Sequence, residues 1–246
     1  MRLRSYLFLS FVLIMNTAMA ADSLRWISPN LGIQKLTPGI YLIKSWEDAK
    51  KDKVTDANHL LVVDQQDIVL INTPWTNSNT RILLDWINKE FNRPVSKVII
   101  THFHYDCSGG AAEIRKSGIT TYSLDKTKYL LRSDSMNIAV TFHDSLDIPL
   151  QTLHLNLTYP GEGHTRDNIV VWIPEDQILY GGCLVKSNAA IDLGNVKDAA
   201  IKAWPKTIQK LQNRFGNARI IIPGHYEIGD TSLLRHTLEL LKDHSQ

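Results

Sequence analysis

Apolar residues first recur at a period of about two or in short blocks, which predicts strands over residues 33–36, 40–44, 60–63 and 68–71. The turn Asp64-Gln65-Gln66-Asp67 joins the last two. Helical spacing then takes over: Ile82, Leu83, Trp86, Ile87 and Phe91 share one side of a helix predicted over 79–91, and Arg93-Pro94 ends it before a strand over 95–101. A helix over 109–117, a strand over 119–122 and a helix over 125–132 follow. The second half repeats the theme. Strands near 150–157, 169–173 and 177–180 precede a helix over 199–215 that carries Ile201, Trp204, Ile208, Leu211 and Phe215 on one face. A strand over 218–222 and a terminal helix over 231–243 complete it. This order predicts an α/β fold of two sheets packed face to face with helices outside, a four-layer αββα sandwich.

The first twenty residues break the pattern. Arg2 and Arg4 precede the apolar run from Tyr6 to Met15, and small residues close it at Ala18-Met19-Ala20. This is the make-up of a cleaved secretory signal, too short in its apolar part to span a bilayer. The expectation is a signal peptide over 1–20, a single domain over 21–246, no membrane anchor after cleavage and a periplasmic location. Loss of Arg2 and Arg4 reduces the 27 basic residues to 25, equal to the 25 acidic ones. A neutral mature chain gives no reason to expect nucleic acid or an anionic membrane as partner.

Chemistry concentrates where apolar strands end. The run Thr101-His102-Phe103-His104-Tyr105-Asp106-Cys107 follows Val98-Ile99-Ile100, and alternation along a continuing strand would point His102, His104 and Asp106 the same way. His164 lies in the glycine-rich Pro160-Gly161-Glu162-Gly163-His164 turn, Cys183 follows the strand ending at Tyr180, and His225 follows Pro223-Gly224. Six such residues suit two zinc ions with three protein ligands each. His102, His104 and His164 make one set, and Asp106, Cys183 and His225 the other, with open positions for water. Export to an oxidising compartment raises a disulfide between Cys107 and Cys183, but that bond would consume a metal ligand. Both are read as thiols.

These fragments, in this order, resemble the metallo-β-lactamases, specifically the subclass with His-His-His and Asp-Cys-His zinc sites. The resemblance rests on His102-x-His104-x-Asp106 with Gly109-Gly110 after it, Gly-His164-x-x-Asp167-Asn168 and Gly181-Gly182-Cys183-Leu184-Val185-Lys186. It extends through Leu193-Gly194-Asn195, Ala203-Trp204-Pro205 and Pro223-Gly224-His225. It implies a fold of the metallo-β-lactamase type and a zinc hydrolase, acting as a monomer, that opens the β-lactam amide of penicillins, cephalosporins and carbapenems and gives antibiotic resistance. In such enzymes a hydroxide bridging two zinc ions attacks the carbonyl. Lys186 matches the residue that holds the substrate carboxylate, Asn195 the one that polarises the carbonyl oxygen, and Asp106 would both bind zinc and orient the hydroxide.

Two positions depart from the pattern. Cys107 follows Asp106 where many relatives have Arg, and Asn72 ends a strand where the family usually has an Asp supporting the zinc ligands. The charged stretch from Trp46 to Asp56 reads as a solvated hairpin tip, in which Trp46 is the one large apolar group able to cover a substrate. His59, His143, His154, His236 and His244 fit no ligand pattern and are read as structural or surface groups. Trp75, Trp86 and Trp204 are read as core, and Asn168 as a turn former.

Overall fold

The computed structural model describes residues 23–47, 55–131 and 136–244. The expected signal segment, the hairpin tip at 48–54 and residue 132, the expected end of one helix, lie outside them. The chain opens as an antiparallel meander: β1 (Arg25–Ser28), β2 (Leu31–Thr37), β3 (Ile40–Trp46), β4 (Asp56–Val63) and β5 (Ile68–Ile71) each pair with the strand before. Helix α1 (Asn77–Phe91) then crosses to β6 (Lys97–Ile100), which runs parallel to β5. Thr76 caps the helix by accepting the amide of Asn79 at 3.1 Å, and Asn92 ends it in the left-handed region at φ 50°. After α2 (Tyr105–Ser108) and α3 (Ala111–Ser117), β7 (Thr120–Leu124), α4 (Asp125–Leu130) and β8 (Val140–Phe142) complete an eight-stranded sheet with the order β1 to β8.

The second sheet holds β9 (Ser145–Pro149), β10 (His154–Thr158), β11 (Val170–Ile173), β12 (Ile178–Gly182) and β13 (Ile220–Pro223). Helix α5 (Trp204–Arg214) connects the last two strands, which are parallel, and α6 (Ser232–His244) closes the chain. Both faces of the central strands are covered, so simple alternation of apolar and polar residues fails there. In β4, Leu60 and Val62 face the other sheet while Leu61 faces the layer of α1 and α3. In β12, Ile178 and Tyr180 enter the core between sheets while Leu179 packs under α5 and α6. These three apolar layers make the four-layer αββα sandwich.

Several boundaries differ from the sequence expectation for local reasons. The strand expected over 150–157 is a hairpin of β9 and β10, because the amides of Gln151 and Thr152 turn onto the Asp64 carboxylate at 2.5 and 3.1 Å. The helix expected from 199 starts at Trp204, where Pro205 occupies the first turn and needs no amide partner. The short β1 and β8 escape periodicity because edge strands of three or four residues carry too few positions to show one. Among the described residues no helix is long and apolar enough to cross a membrane.

Leu157 is fully buried between the sheets, whereas Ile191 is 91% exposed. Leu157→Ala is expected to cost about 2–5 kcal/mol and Ile191→Ala less than about 0.5 kcal/mol, as read by denaturant unfolding. Equal midpoints for the two variants would contradict this assignment of the core.

Candidate metal centre

Strand β6 ends at Ile100, and the chain does not continue as a strand through the His-rich run as expected. Residues 105–108 form α2, so Asp106 arrives on a helical turn, four residues from His102. Thr73 pins that turn: its amide and hydroxyl both donate to the Cys107 carbonyl, at 2.8 and 3.1 Å. The backbone passes so close behind it that a Cβ on Gly109 would sit 2.1 Å from the Trp75 carbonyl oxygen, which requires glycine there. On the facing sheet, His164 follows β10, Cys183 follows β12 and His225 follows β13. A Cβ on Gly224 would lie 2.3 Å from Cys183 Sγ, so glycine also lets the last two ligand loops touch.

The donor atoms converge in two overlapping groups. His104 Nδ1 lies 3.2 Å from His164 Nε2, and His102 completes that set. Asp106 Oδ2 lies 2.9 Å from Cys183 Sγ and 3.4 Å from His225 Nε2, and Cys183 Sγ lies 3.4 Å from the same imidazole nitrogen. Bonds to one tetrahedral zinc ion place its nitrogen, oxygen and sulfur ligands roughly 3.3–3.6 Å apart. The two contacts of His225 have that spacing, the His104–His164 contact is slightly shorter, and the Cys183–Asp106 contact is the shortest. Among the described residues His102 Nε2 is buried without a hydrogen-bond partner, and it lies 3.6 Å from Asp106 Oδ1, which puts it at the junction of the two groups. Both carboxylate oxygens of Asp167 are also buried without a hydrogen-bond partner among the described residues. An unpaired buried carboxylate is costly unless cationic charge lies near. The donor set and these orphaned groups therefore fit zinc.

The electrostatics of the protein alone point the same way. Burial lowers the affinity of His102 for a proton, but the charges of Asp106 and Cys183 outweigh it and push its pKa up to about 9. His225 is raised for similar reasons, burial being outweighed by Cys183 and Asp106. Cys183 is held well below the usual thiol range by its hydrogen bond with Cys107 and by the imidazoles of His225 and His102, against burial. Burial, with the hydrogen bond to Cys183, pushes Cys107 up. A thiolate held among protonated imidazoles is the arrangement from which a divalent cation displaces protons. Both cysteines are free and buried, as expected.

These groups open onto a cleft of about 570 Å³ whose walls include Trp75, Phe103, Tyr105, Lys186, Asn195 and Tyr226. Lys186 is only 7% exposed, burial lowers its pKa, and its Nζ makes no hydrogen bond or salt bridge among the described residues. Asn195 Oδ1 accepts the amide of Lys197 at 3.1 Å, which leaves its NH2 group for the cleft. Trp75, expected in the core, instead lines the cleft with its ring 6.4 Å from that of His225. Trp46 stacks on Trp26 at 4.6 Å and is not among the lining residues.

Support for the ligand rings comes partly from residues that sequence reasoning passed over. Asp198 Oδ2 lies 2.9 Å from His104 Nε2, and the Asp56 carbonyl lies 2.5 Å from His225 Nδ1. Such partners fix which imidazole nitrogen faces a metal. Asp198 is 94 residues from His104 in a loop without periodic pattern, so no local signal marks it. The remaining histidines behave as expected. His59 is fully buried against Ser45 at 2.7 Å and burial lowers it to about 3, while His143 pairs with Asp125, His154 with Glu175 and His236 with the Ala190 carbonyl. His244 is exposed. Trp204 is core, Trp86 packs against the layer of α1, and Asn168 braces its own turn through Thr165 and Gly161.

The chain matches the profile of the metallo-β-lactamase superfamily over residues 53–225. It belongs to that superfamily. A metallo-β-lactamase type 2 of Bacteroides fragilis is 33% identical over 227 residues, 92% of this chain and 91% of the relative. A solved metallo-β-lactamase from Pontibacter korlensis superposes with a TM-score of 0.82 at 36% identity, covering 87% of this chain and 99% of that one. FIM-1 from Pseudomonas aeruginosa, solved in a mono-zinc form, gives 0.80 at 28% identity, covering 88% and 96%. Zinc binding follows from membership of this superfamily together with the His102, His104, His164 and the His102, Asp106, Cys183 groupings.

Asp198→Ala removes the carboxylate behind His104 while leaving every candidate ligand in place. It is expected to weaken metal binding roughly 10- to 100-fold, measured by competition with a chromogenic chelator. Unchanged affinity would show that Asp198 does not orient the ring.

Proposed function

We propose that this superfamily member hydrolyses the β-lactam amide of penicillins, cephalosporins and carbapenems with two zinc ions bound, and thereby gives antibiotic resistance. The observation that carries this reading is one cleft joining two donor triads to a buried ammonium that makes no salt bridge among the described residues. In this reading His102, His104 and His164 hold one zinc, and Asp106, Cys183 and His225 hold the other. The names carried by the relatives support it.

Zinc, when bound, supplies Lewis acidity and lowers the pKa of water towards neutrality. The protein supplies position. Lys186 pairs with the carboxylate of the substrate, and burial in the cleft wall makes that charge-assisted contact stronger than an exposed one. Asn195 directs its free NH2 group at the lactam carbonyl oxygen as negative charge grows there. Asp106 turns Oδ2 to the Cys183 and His225 set and keeps Oδ1 on the side of His102, where it orients the attacking water and takes up its proton. Trp75, Phe103 and Tyr226 wall the cleft and exclude water from the rest of the substrate. The reading also keeps a single-domain monomer, and the Arg2-to-Ala20 pattern supports a signal cleaved near Ala21, a periplasmic location and no membrane anchor after cleavage.

Exported protein is expected to start near Ala21 by mass spectrometry, to contain two zinc ions per chain, and to open a chromogenic cephalosporin in a reaction stopped by chelation and restored by zinc. Two bound zinc ions without turnover of any β-lactam would sink the reading. Lys186→Ala is expected to raise KM roughly tenfold or more with a smaller change in kcat. An unchanged KM would remove the role assigned to Lys186.

A further inference from the structure

One wall of the cleft is the loop between β12 and α5, which carries both Lys186 and Asn195. Its two ends are held very differently. At the Lys186 end the chain is locked into the layer of α5 and α6: Leu184 and Val185 are buried there, and Trp204 Nε1 donates to the Leu184 carbonyl at 2.9 Å. The Lys186 amide donates at 2.8 Å to Thr237 Oγ1, a fully buried hydroxyl whose own hydrogen goes to the Leu233 carbonyl at 2.7 Å. At the Asn195 end such ties are sparse. Leu193 is the one buried residue over 191–197. Among the described residues the hydrogen bonds made by 191–195 only close local turns, from the Gly194 amide to Asp192 Oδ1 at 2.8 Å and from the Lys197 amide to Asn195 Oδ1 at 3.1 Å.

Between these ends stands His236, next to Thr237 on α6. Ala190 lines the cleft, and its carbonyl lies 2.8 Å from His236 Nε2. A carbonyl can only accept, so Nε2 carries the hydrogen and donates it. Nδ1 faces Glu239 Oε2 at 3.7 Å, too far for a hydrogen bond, which leaves the Ala190 carbonyl as the one hydrogen-bond partner of the ring among the described residues. Ser187 is tied earlier in the loop, its hydroxyl donating to the Glu227 carbonyl at 2.9 Å. The His236 bond is therefore the last one from the body of the protein before Asn195. We propose that His236 is a positioning residue for the substrate wall: by holding the Ala190 carbonyl to α6 it fixes the segment that presents Asn195, while Thr237 separately fixes Lys186. The proposal rests on the reading above, in which Lys186 binds the substrate carboxylate and Asn195 meets the lactam carbonyl. Loss of the His236 hydrogen bond then acts on kcat, through Asn195 in the transition state, and little on KM, which follows Lys186.

The test compares wild type, His236→Phe, which keeps a ring but has no hydrogen to give, and His236→Gln, whose amide can donate, all with zinc in excess. Hydrogen exchange of the amides over 190–197 is expected to quicken several-fold in His236→Phe and to stay near wild type in His236→Gln. With a chromogenic cephalosporin, His236→Phe is expected to lower kcat roughly three- to tenfold with KM within about twofold, and His236→Gln to recover most of the loss. Added to Asn195→Ala, His236→Phe is expected to cost little more, because the group that it positions is gone. Unchanged exchange over 190–197, a loss that falls on KM alone, or full additivity with Asn195→Ala would each overturn the proposal, whatever the unfolding midpoint. Wild-type protein with two zinc ions and no turnover would overturn the β-lactam reading instead, and the exchange comparison would still decide whether His236 holds the loop.

Discussion

Holding His102, His104, Asp106, His164, Cys183 and His225 with their donor atoms about as far apart as ligands of one ion is unfavourable for a protein by itself. Imidazoles crowd one another, the Cys183 sulfur and an Asp106 oxygen meet at 2.9 Å, and the orphaned Asp167 oxygens add further charge out of water. Only a stiff scaffold keeps such groups together, and the two packed sheets supply it. Each ligand lies within a few residues of a strand end, and the strands are fixed by apolar layers on both faces. The site is therefore placed by the core, and a cation relieves the repulsion that the core imposes.

The same constraint explains the polar network in an otherwise apolar interior. Tyr180 belongs to the core between the sheets, yet its hydroxyl is hydrogen-bonded on both sides. Asn72 is hydrogen-bonded through both ends of its amide, to Thr101 and to Tyr180, although Asn58 Oδ1 stays buried without a hydrogen-bond partner among the described residues. Outside the network, Asp198 and the Asp56 carbonyl steady two of the imidazoles from the solvent side. The ligand rings are thus held from behind and from the rim.

Much of the layer architecture can be read from residue order, because strand and helix periods differ and the long elements, such as α1 and α6, carry enough positions to show theirs. The ligand set is legible for a related reason: His, Cys and Asp just past apolar strands are few, and three of them fall within five residues. The misread parts are short or depend on distant partners. Residues 102–106 look like alternating strand positions, but Thr73 and Gly109 allow the chain to coil there, and helical spacing brings Asp106 back to His102. Trp75 looks like a core residue until the turn after β5 places it on the cleft wall. Trp46 finds Trp26.

By itself the sequence determined which groups can bind metal, that the strands deliver them, and that Lys186 follows Cys183 closely enough to share its site. Those are properties of residue type and short spacing, which local geometry converts directly into position. Only the tertiary structure decided that His102 lies between both donor groups, that Asp198 meets His104 across 94 residues, and that Asn72 joins Thr101 to Tyr180. Hydrogen bonds between residues so far apart follow from how the two sheets pack, and no pattern along one strand or one helix contains that information.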